Sequence, residues 1–483
     1  MYGAVSDGFA SLDATAQAEL VRRGEITPLE LVAASIARIE RLNPELNAVI
    51  MPLFEKARAA AVSSRLSDGP FRGVPTLLKD LGAQSAGDPY HAGTRVLRDA
   101  RWVAAVDSYL TAKLRAAGFI ILGKTNTPEL GLQPTTEPIS YGPTRNPWGV
   151  GRSPGGSSGG AAAAVAVGMV AAAHATDGGG SIRIPASHCG LVGLKPTRGR
   201  VSLGPDVGER WGGCAVENSV TRSVRDAAAW LDTIAGPMPG DPNIAPPPPR
   251  PFAAEVGADP GRLRIGFTKR APVGLEVHRE CQTAVEETAR LLETLGHVVE
   301  ESYPEALRDV EAAGTFGMIV ACSTARAIDV WEEKIGHPFA ADSFEPMTWG
   351  LVELGRRYSA RDYVRGVERL QQHSRLVANW WSEGFDVLLT PTTAEPPPRL
   401  GELGPRPDNP LAGWVRSVPF ATFTSPYNIT GQPAISLPLY WTKDGLPVGS
   451  QLVAAFGRED LLIRIAAQLE QARPWQGRRP SLW

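Results

Sequence analysis

Residues 155–187 constrain this chain more than any other stretch. The segment opens on GGSSGG (155–160), runs through almost pure alanine, and closes on TDGGGSIRIPAS (176–187). Glycine and alanine surrender side-chain volume, so such a segment is stable only where other backbone packs closely around it. Ser157, Ser158 and Ser181 stand among glycines that cannot obstruct a hydroxyl, and Ser157 precedes Ser181 by 24 residues. Glycine also admits backbone angles closed to other residues. It leaves N–H groups bare, and these can converge on a developing negative charge. A carbonyl attacked by Ser181 would set its oxyanion near the amides of Gly178, Gly179, Gly180 and Ser181. A lone GGGS is usually a flexible turn; the second serine-bearing glycine run turns the reading toward chemistry.

Composition narrows the classes. With 49 basic and 51 acidic residues the net charge is −2, so no basic excess asks for nucleic acid. Cys189, Cys214, Cys281 and Cys322 have neither metal nor redox spacing and read as buried free thiols. No metal site is expected. The N-terminal MYGAVSDGFASLD has no basic patch followed by an apolar core. The longest apolar run, AAAAVAVGMVAAA (161–173), falls short of the roughly 20 residues of a membrane span. A soluble cytoplasmic protein that engages neither membrane nor nucleic acid is expected.

The hydrophobic pattern predicts an α/β chain. Residues 13–50 read as helical, with Thr27 as N-cap, Pro28 in the first turn and Glu30 closing a capping box. GVPTLLKD (73–80) and FIILGKTN (119–126) read as buried strands, SYLTAKLRAAG (108–118) as the helix between them, and 161–173 as an alanine helix. A further helix is expected over 224–236. The proline-rich stretch 237–252 is the clearest linker. Beyond it come a strand at RLRIGF, a helix at CQTAVEETARLLETLG, a largely helical region over 305–383, a strand at DVLLTPT (386–392), and a hairpin over 435–454 turning at Lys443-Asp444-Gly445. Both halves end in buried-looking strands. A single domain over 1–483 is expected, with one α/β/α sandwich, a mixed, mainly parallel sheet and a surface crossover at the linker. Its catalytic core would span about 70–235 and its substrate-shaping helices about 305–420.

A serine nucleophile needs a base. His174 and His188 are near in sequence, and Asp177 could complete a Ser-His-Asp set, but a sequence neighbour is a poor triad partner, and both histidines read as core or surface residues. Lysine is the other choice, because burial strips its proton readily. Lys79, Lys124 and Lys195 all end or follow apolar runs, and spacing does not choose among them. GFIILGKT (118–125) also fits a phosphate-loop pattern, but its middle residues form a buried strand rather than a loop of open amides, which argues against nucleotide binding.

GGSSGG, DGGGSIRIP and CGLVGLKPT together resemble the amidase signature family. So do GVPTLLKD, LGKTNTPE (122–129), TRNPW (144–148), YNITGQPAISLPL and DGLPVGSQLVA, and the likeness covers most of the chain. The resemblance implies an α/β/α fold and a Ser–cisSer–Lys triad. Ser181 would be the nucleophile, Ser157 the serine after a cis peptide, Lys79 the base, and the amides from Gly178 to Ser181 the oxyanion donors. Gly155 and Gly156 would make room for the cis bond. Ser158 could replace Ser157 as the bridge, although the family spacing favours Ser157. Asp177 and Arg183 would hold the loop by hydrogen bonds. Gln133 falls where family members place a pocket-wall residue. Where many members carry a bulkier residue this chain has Gly178, which is expected to widen the pocket or loosen the loop.

The implied activity is amide hydrolysis through a Ser181 acyl-enzyme, without metal or organic cofactor. YPEAL (303–307), GQPAISLP (431–438) and GREDLL (457–462) are similar to the branch that cleaves 6-aminohexanoate oligomers and aryl acylamides. Substrates would be small, aryl or oligomeric amides, with carbamates and aryl esters as further candidates. The rival readings are an amidotransferase subunit that releases ammonia from glutamine for a partner, and an inactive binding protein on the same fold. A monomer or homodimer is expected. Trp331, Trp349, Trp380, Trp381 and Trp414 read as either apolar lining or core.

Overall fold

A computed structural model describes residues 8–404, 406 and 408–483. Part of the N-terminal stretch read for a leader, residues 1–7, lies outside the described residues. Among the described residues eleven strands form one sheet. In chain order they are β1 (Val49–Pro52), β2 (Pro75–Lys79), β3 (Ile120–Thr125), β4 (Ala172–Asp177), β5 (Val192–Lys195), β6 (Val216–Thr221), β7 (Arg264–Phe267), β8 (Val298–Glu301), β9 (Val387–Pro391), β10 (Ala434–Trp441) and β11 (Pro447–Ala454). Their spatial order is β1-β3-β2-β4-β6-β5-β10-β11-β9-β7-β8.

The sheet is mixed, as expected, but it is not mainly parallel. Of the ten neighbouring pairs, β2–β3, β2–β4, β7–β8 and β7–β9 are parallel. The other six are antiparallel. Helical crossovers return the chain in parallel only near the flanks. The centre is built from returns such as the β10–β11 hairpin, where Gly445 takes φ +80 in the turn.

Helices cover both faces. Along β2 and β3, Leu78 and Ile121 enter one apolar cluster with helices Tyr109–Ala116, Val224–Ile234 and Glu459–Ala472. Leu77, Ile120 and Leu122 enter the other, with helices Pro28–Leu46 and Gly159–Ala166. This period of two is that of a strand buried on both sides. The capping box forms as the sequence predicts: Thr27 accepts from the Glu30 amide at 3.2 Å, and Glu30 accepts from the Thr27 amide at 2.7 Å. Two helices, Ala14–Arg22 and Pro28–Leu46, replace the continuous one read over 13–50.

The alanine run departs from expectation. Its helix ends at Ala166, and β4 begins at Ala172. Gly168 takes φ +67 and turns the chain between them. Alanine has no side chain that favours a continued helix over a strand once packing decides, and Ala161–Val165 are wholly buried. The proline-rich segment crosses the surface: Ala245 donates to Gly199 O at 3.0 Å, and Pro246 O accepts from Arg200 at 2.6 Å. Strands before and after it share the one sheet.

In the region over 305–420, helices Val310–Ile335 and Pro346–Arg356 cross closely at Gly355. A Cβ there would stand 2.2 Å from Ala321 O. Gly355→Val should therefore force the helices apart and cost about 1–3 kcal/mol, read as a lower thermal midpoint.

Candidate active site

The parallel strands β2 and β4, in register at Leu77 and Ala173, bring Lys79 and Asp177 to their C-terminal ends. Ligand sites of open α/β sheets collect at such ends. Lys79 is wholly buried. Its Nζ lies 2.6 Å from Ser157 Oγ and 2.8 Å from Thr176 Oγ1. Burial pushes its pKa down to about 7 against the pull of Asp177 and Glu217, and Arg210 adds to the downward push.

Burial alone does not single out this lysine. Lys124 is pushed down to about 8 and Lys195 to about 7, both chiefly by burial. Lys124 donates to Ala83 O at 2.9 Å, and Lys195 to Pro196 O at 2.8 Å. Among the described residues, neither has a serine within hydrogen-bond reach. Of the three, Lys79 is the one placed against a serine hydroxyl. The fold also places Lys124 of the phosphate-loop look-alike inside buried β3.

Ser157 follows a cis peptide from Gly156. The glycines are spatially required: a Cβ on Gly156 would meet Thr135 O at 2.3 Å, and Gly155, at φ +82, presses against Pro185. The Ser158 hydroxyl is taken up by β4, accepting from the Thr176 amide at 3.2 Å and donating to Thr176 O at 3.3 Å. Of the two serines, only Ser157 meets the lysine.

Asp177 shapes the glycine loop. Its Oδ1 accepts from the Gly180 amide at 2.7 Å, and its Oδ2 from the Ile182 amide at 3.2 Å. Arg183 grips both oxygens, with Nε at 3.0 Å and Nη2 at 2.9 Å. Arg183 also donates to Thr424 O, Gln451 Oε1 and Asn428 Oδ1. Burial raises the Asp177 pKa, but Arg183 outweighs it and holds the carboxylate below its ordinary value. The amide of Gly180 is therefore engaged. Those of Gly178, Gly179 and Ser181, and the half-buried Ser181 hydroxyl, have no protein acceptor or donor among the described residues.

The pocket does not widen at Gly178. A Cβ there would lie 2.6 Å from the Trp211 ring, so an indole from another loop fills that space. Trp211 takes φ 54 and meets Phe316 edge-on at 6.3 Å. Phe316, Leu132, Ile429, Trp211 and Trp414 belong to one apolar cluster. It reaches from the glycine loop to Gly131, where a Cβ would sit 3.2 Å from Ser157 Oγ. The tryptophans divide. Trp380 is buried and stacks on Phe385 with Trp381 edge-on against it, while half-buried Trp331 and Trp349 pack on Trp102 and Phe344; Trp414 joins the cluster beside the site. Gln133 is buried and donates to Leu403 O at 3.0 Å, tying the site loop to the region over 305–420.

Among the described residues neither imidazole is hydrogen-bonded to a serine. The His188 imidazole is buried without a hydrogen bond and pushed down to about 3 by burial. His174 lies against the Lys79 main chain. Among the described residues no His, Cys, Asp and Glu side chains gather as metal ligands would, and no helix is long and apolar enough to cross a membrane. A separate cleft of about 650 Å3, lined by Arg270, Tyr303, Arg308 and Trp380 among others, shares no residue with this site. Sequence reasoning gave no role to Thr176, Thr424, Asn428, Gln451 and Trp211; Thr176, Asn428 and Gln451 lie inside quoted motifs, but only the fold shows what they touch.

The amidase family profile matches residues 30–463. The chain belongs to the amidase family. A 6-aminohexanoate-cyclic-dimer hydrolase of Paenarthrobacter ureafaciens is 47% identical over 478 residues, covering 97% of this chain and 96% of that protein. The solved structure of a 6-aminohexanoate cyclic dimer hydrolase with substrate superposes at TM-score 0.94, with 46% identity over 98% of this chain and 99% of that one. A bacterial aryl acylamidase of the amidase signature enzymes superposes at 0.85, with 30% identity and 96% of each chain covered. As an amidase, the protein is a hydrolase of amide C–N bonds.

Removing the loop's anchor should be severe. Asp177→Ala leaves a wholly buried guanidinium without its carboxylate, and should cost about 3–5 kcal/mol, read as a large fall in thermal midpoint with loss of amidase activity.

Proposed function

We propose that this amidase cleaves oligomeric and aryl amides of small ω-amino acids and anilines through an acyl-enzyme on Ser181. The observation that carries the mechanism is the 2.6 Å contact between the buried Lys79 amine and Ser157 Oγ. Uncharged Lys79 takes the Ser157 proton as Ser157 takes the Ser181 proton. Ser181 Oγ attacks the amide carbon, and the carbonyl π pair moves onto oxygen. The free amides of Gly178, Gly179 and Ser181 are the donors for that oxyanion; one such donor is worth about 2.7–4 kcal/mol. Collapse breaks the C–N bond while the relay returns a proton to the leaving nitrogen. Water then repeats the path and frees the acid and Ser181.

Substrate class is supported by the wall. Trp211, Phe316, Leu132 and Trp414 offer an apolar surface to a polymethylene or aryl segment beside the attacked carbonyl. Gln133 serves that wall by fixing it to the loop at Leu403. The kinship with hydrolases of 6-aminohexanoate cyclic dimer points the same way.

Two measurements test the reading. A panel of cyclic 6-aminohexanoate dimer, an anilide, a carbamate and glutamine should show the highest kcat/KM on the dimer or the anilide; highest turnover on glutamine would contradict it. Ser181→Ala should abolish hydrolysis at a native thermal midpoint. A fluorophosphonate should add its mass to the Ser181 peptide of the unaltered enzyme and to nothing in the variant.

A further inference from the structure

One set of buried ionisable side chains lies outside the proton path. Lys79 donates its main-chain N–H to His174 Nδ1 at 3.3 Å, and His174 Nε2 stands 3.3 Å from Glu217 Oε2. Nδ1 as acceptor puts the ring proton on Nε2, where it points at the carboxylate. Burial holds His174 below its ordinary pKa although Glu217 pulls it upward, so the ring is the neutral link of the chain.

Register fixes this arrangement. His174 and Thr176 share a face of β4, and Glu217 on β6 pairs directly with Thr176. Thr176 is also the second hydroxyl on Lys79 Nζ. Glu217 therefore adjoins the lysine at both ends, through His174 at its main chain and beside Thr176 at its amine. The His174 and Glu217 side chains are only 0% and 6% exposed. Gly82 takes φ +92, and a Cβ there would stand 2.4 Å from Glu217 Oε1, so only glycine leaves the carboxylate its place.

We propose that Glu217, acting through His174, is a positioning residue for Lys79: it is the buried counter-anion that sets how readily the amine accepts and returns the Ser157 proton. The inference rests on Lys79 being the base. The other charges that bear on Lys79 are Asp177 and Arg210. Asp177 also pulls the amine toward its charged form, but its carboxylate is paired with Arg183 at 2.9 Å. Arg210 opposes protonation, and Lys124 bears on His174 from β3. Among the described residues Glu217 has no cationic ion-pair partner, so its charge is free to act on Lys79.

The test is the pH profile of kcat/KM on an anilide for the unaltered enzyme, Glu217→Gln and Glu217→Asp. Glutamine keeps the shape and an acceptor for His174 but removes the charge. Losing a nearby anion favours the uncharged amine, so the acid limb should move to lower pH by roughly 0.5–1 unit. Glu217→Asp withdraws the carboxylate by one methylene and should move the limb the same way by a smaller, resolvable step. An unmoved limb in either folded variant, or a move to higher pH, overturns the proposal while leaving Lys79 as base. A profile of the unaltered enzyme with no acid limb overturns both.

Discussion

The proposed chemistry depends on an amine taken out of water. Lys79 sits at the end of a strand buried on both faces, and desolvation opposes its charge more strongly than the neighbouring carboxylates restore it. An amine that is uncharged near neutral pH can accept a proton from a hydroxyl 2.6 Å away, which an ammonium in water cannot. The burial comes from architecture. Parallel β2 and β4 end together, the alanine helix packs over them, and the glycines around Ser157 let backbone approach where any Cβ would clash.

The same low polarity would be ruinous for Asp177 and Arg183 were they not joined. Their paired contact, with Asn428, Thr424 and Gln451 closing the remaining polar atoms, turns two buried charges into a rigid staple. The staple has a chemical consequence. It engages the Gly180 amide and leaves those of Gly178, Gly179 and Ser181 free. Partners 241 to 268 residues away in sequence hold Arg183, so the β10–β11 half of the molecule braces the glycine loop of the first half.

The chain disclosed its fold class, and marked its candidate serines and lysines, because these rest on local signals. Glycine runs mark where side chains cannot be, apolar runs mark buried strands, and Thr27-Pro28 marks a helix start. What it withheld was non-local. The choice of Lys79 over Lys124 and Lys195 came from resemblance, since all three are buried and lowered alike; only the contact with Ser157 separates them. Strand direction misled because apolar runs carry no polarity, so antiparallel returns at the centre looked like the parallel flanks. The alanine run misled because Gly168, rather than any change in hydrophobicity, ends its helix. Gly178 suggested a wider pocket, but the side chain that fills the space, Trp211, comes from 33 residues further along. His174 reads in sequence as a core or surface residue and Glu217 carries no signal, and strand register reveals them as neighbours.

The most direct measurement is the titration of Lys79 itself, followed by the 13Cε resonance of labelled lysine and assigned with Lys79→Arg. The account predicts a resonance that titrates near pH 7, unlike surface lysines near the ordinary value of about 10.4. A Lys79 signal that stays in its charged form until pH 10 would contradict it.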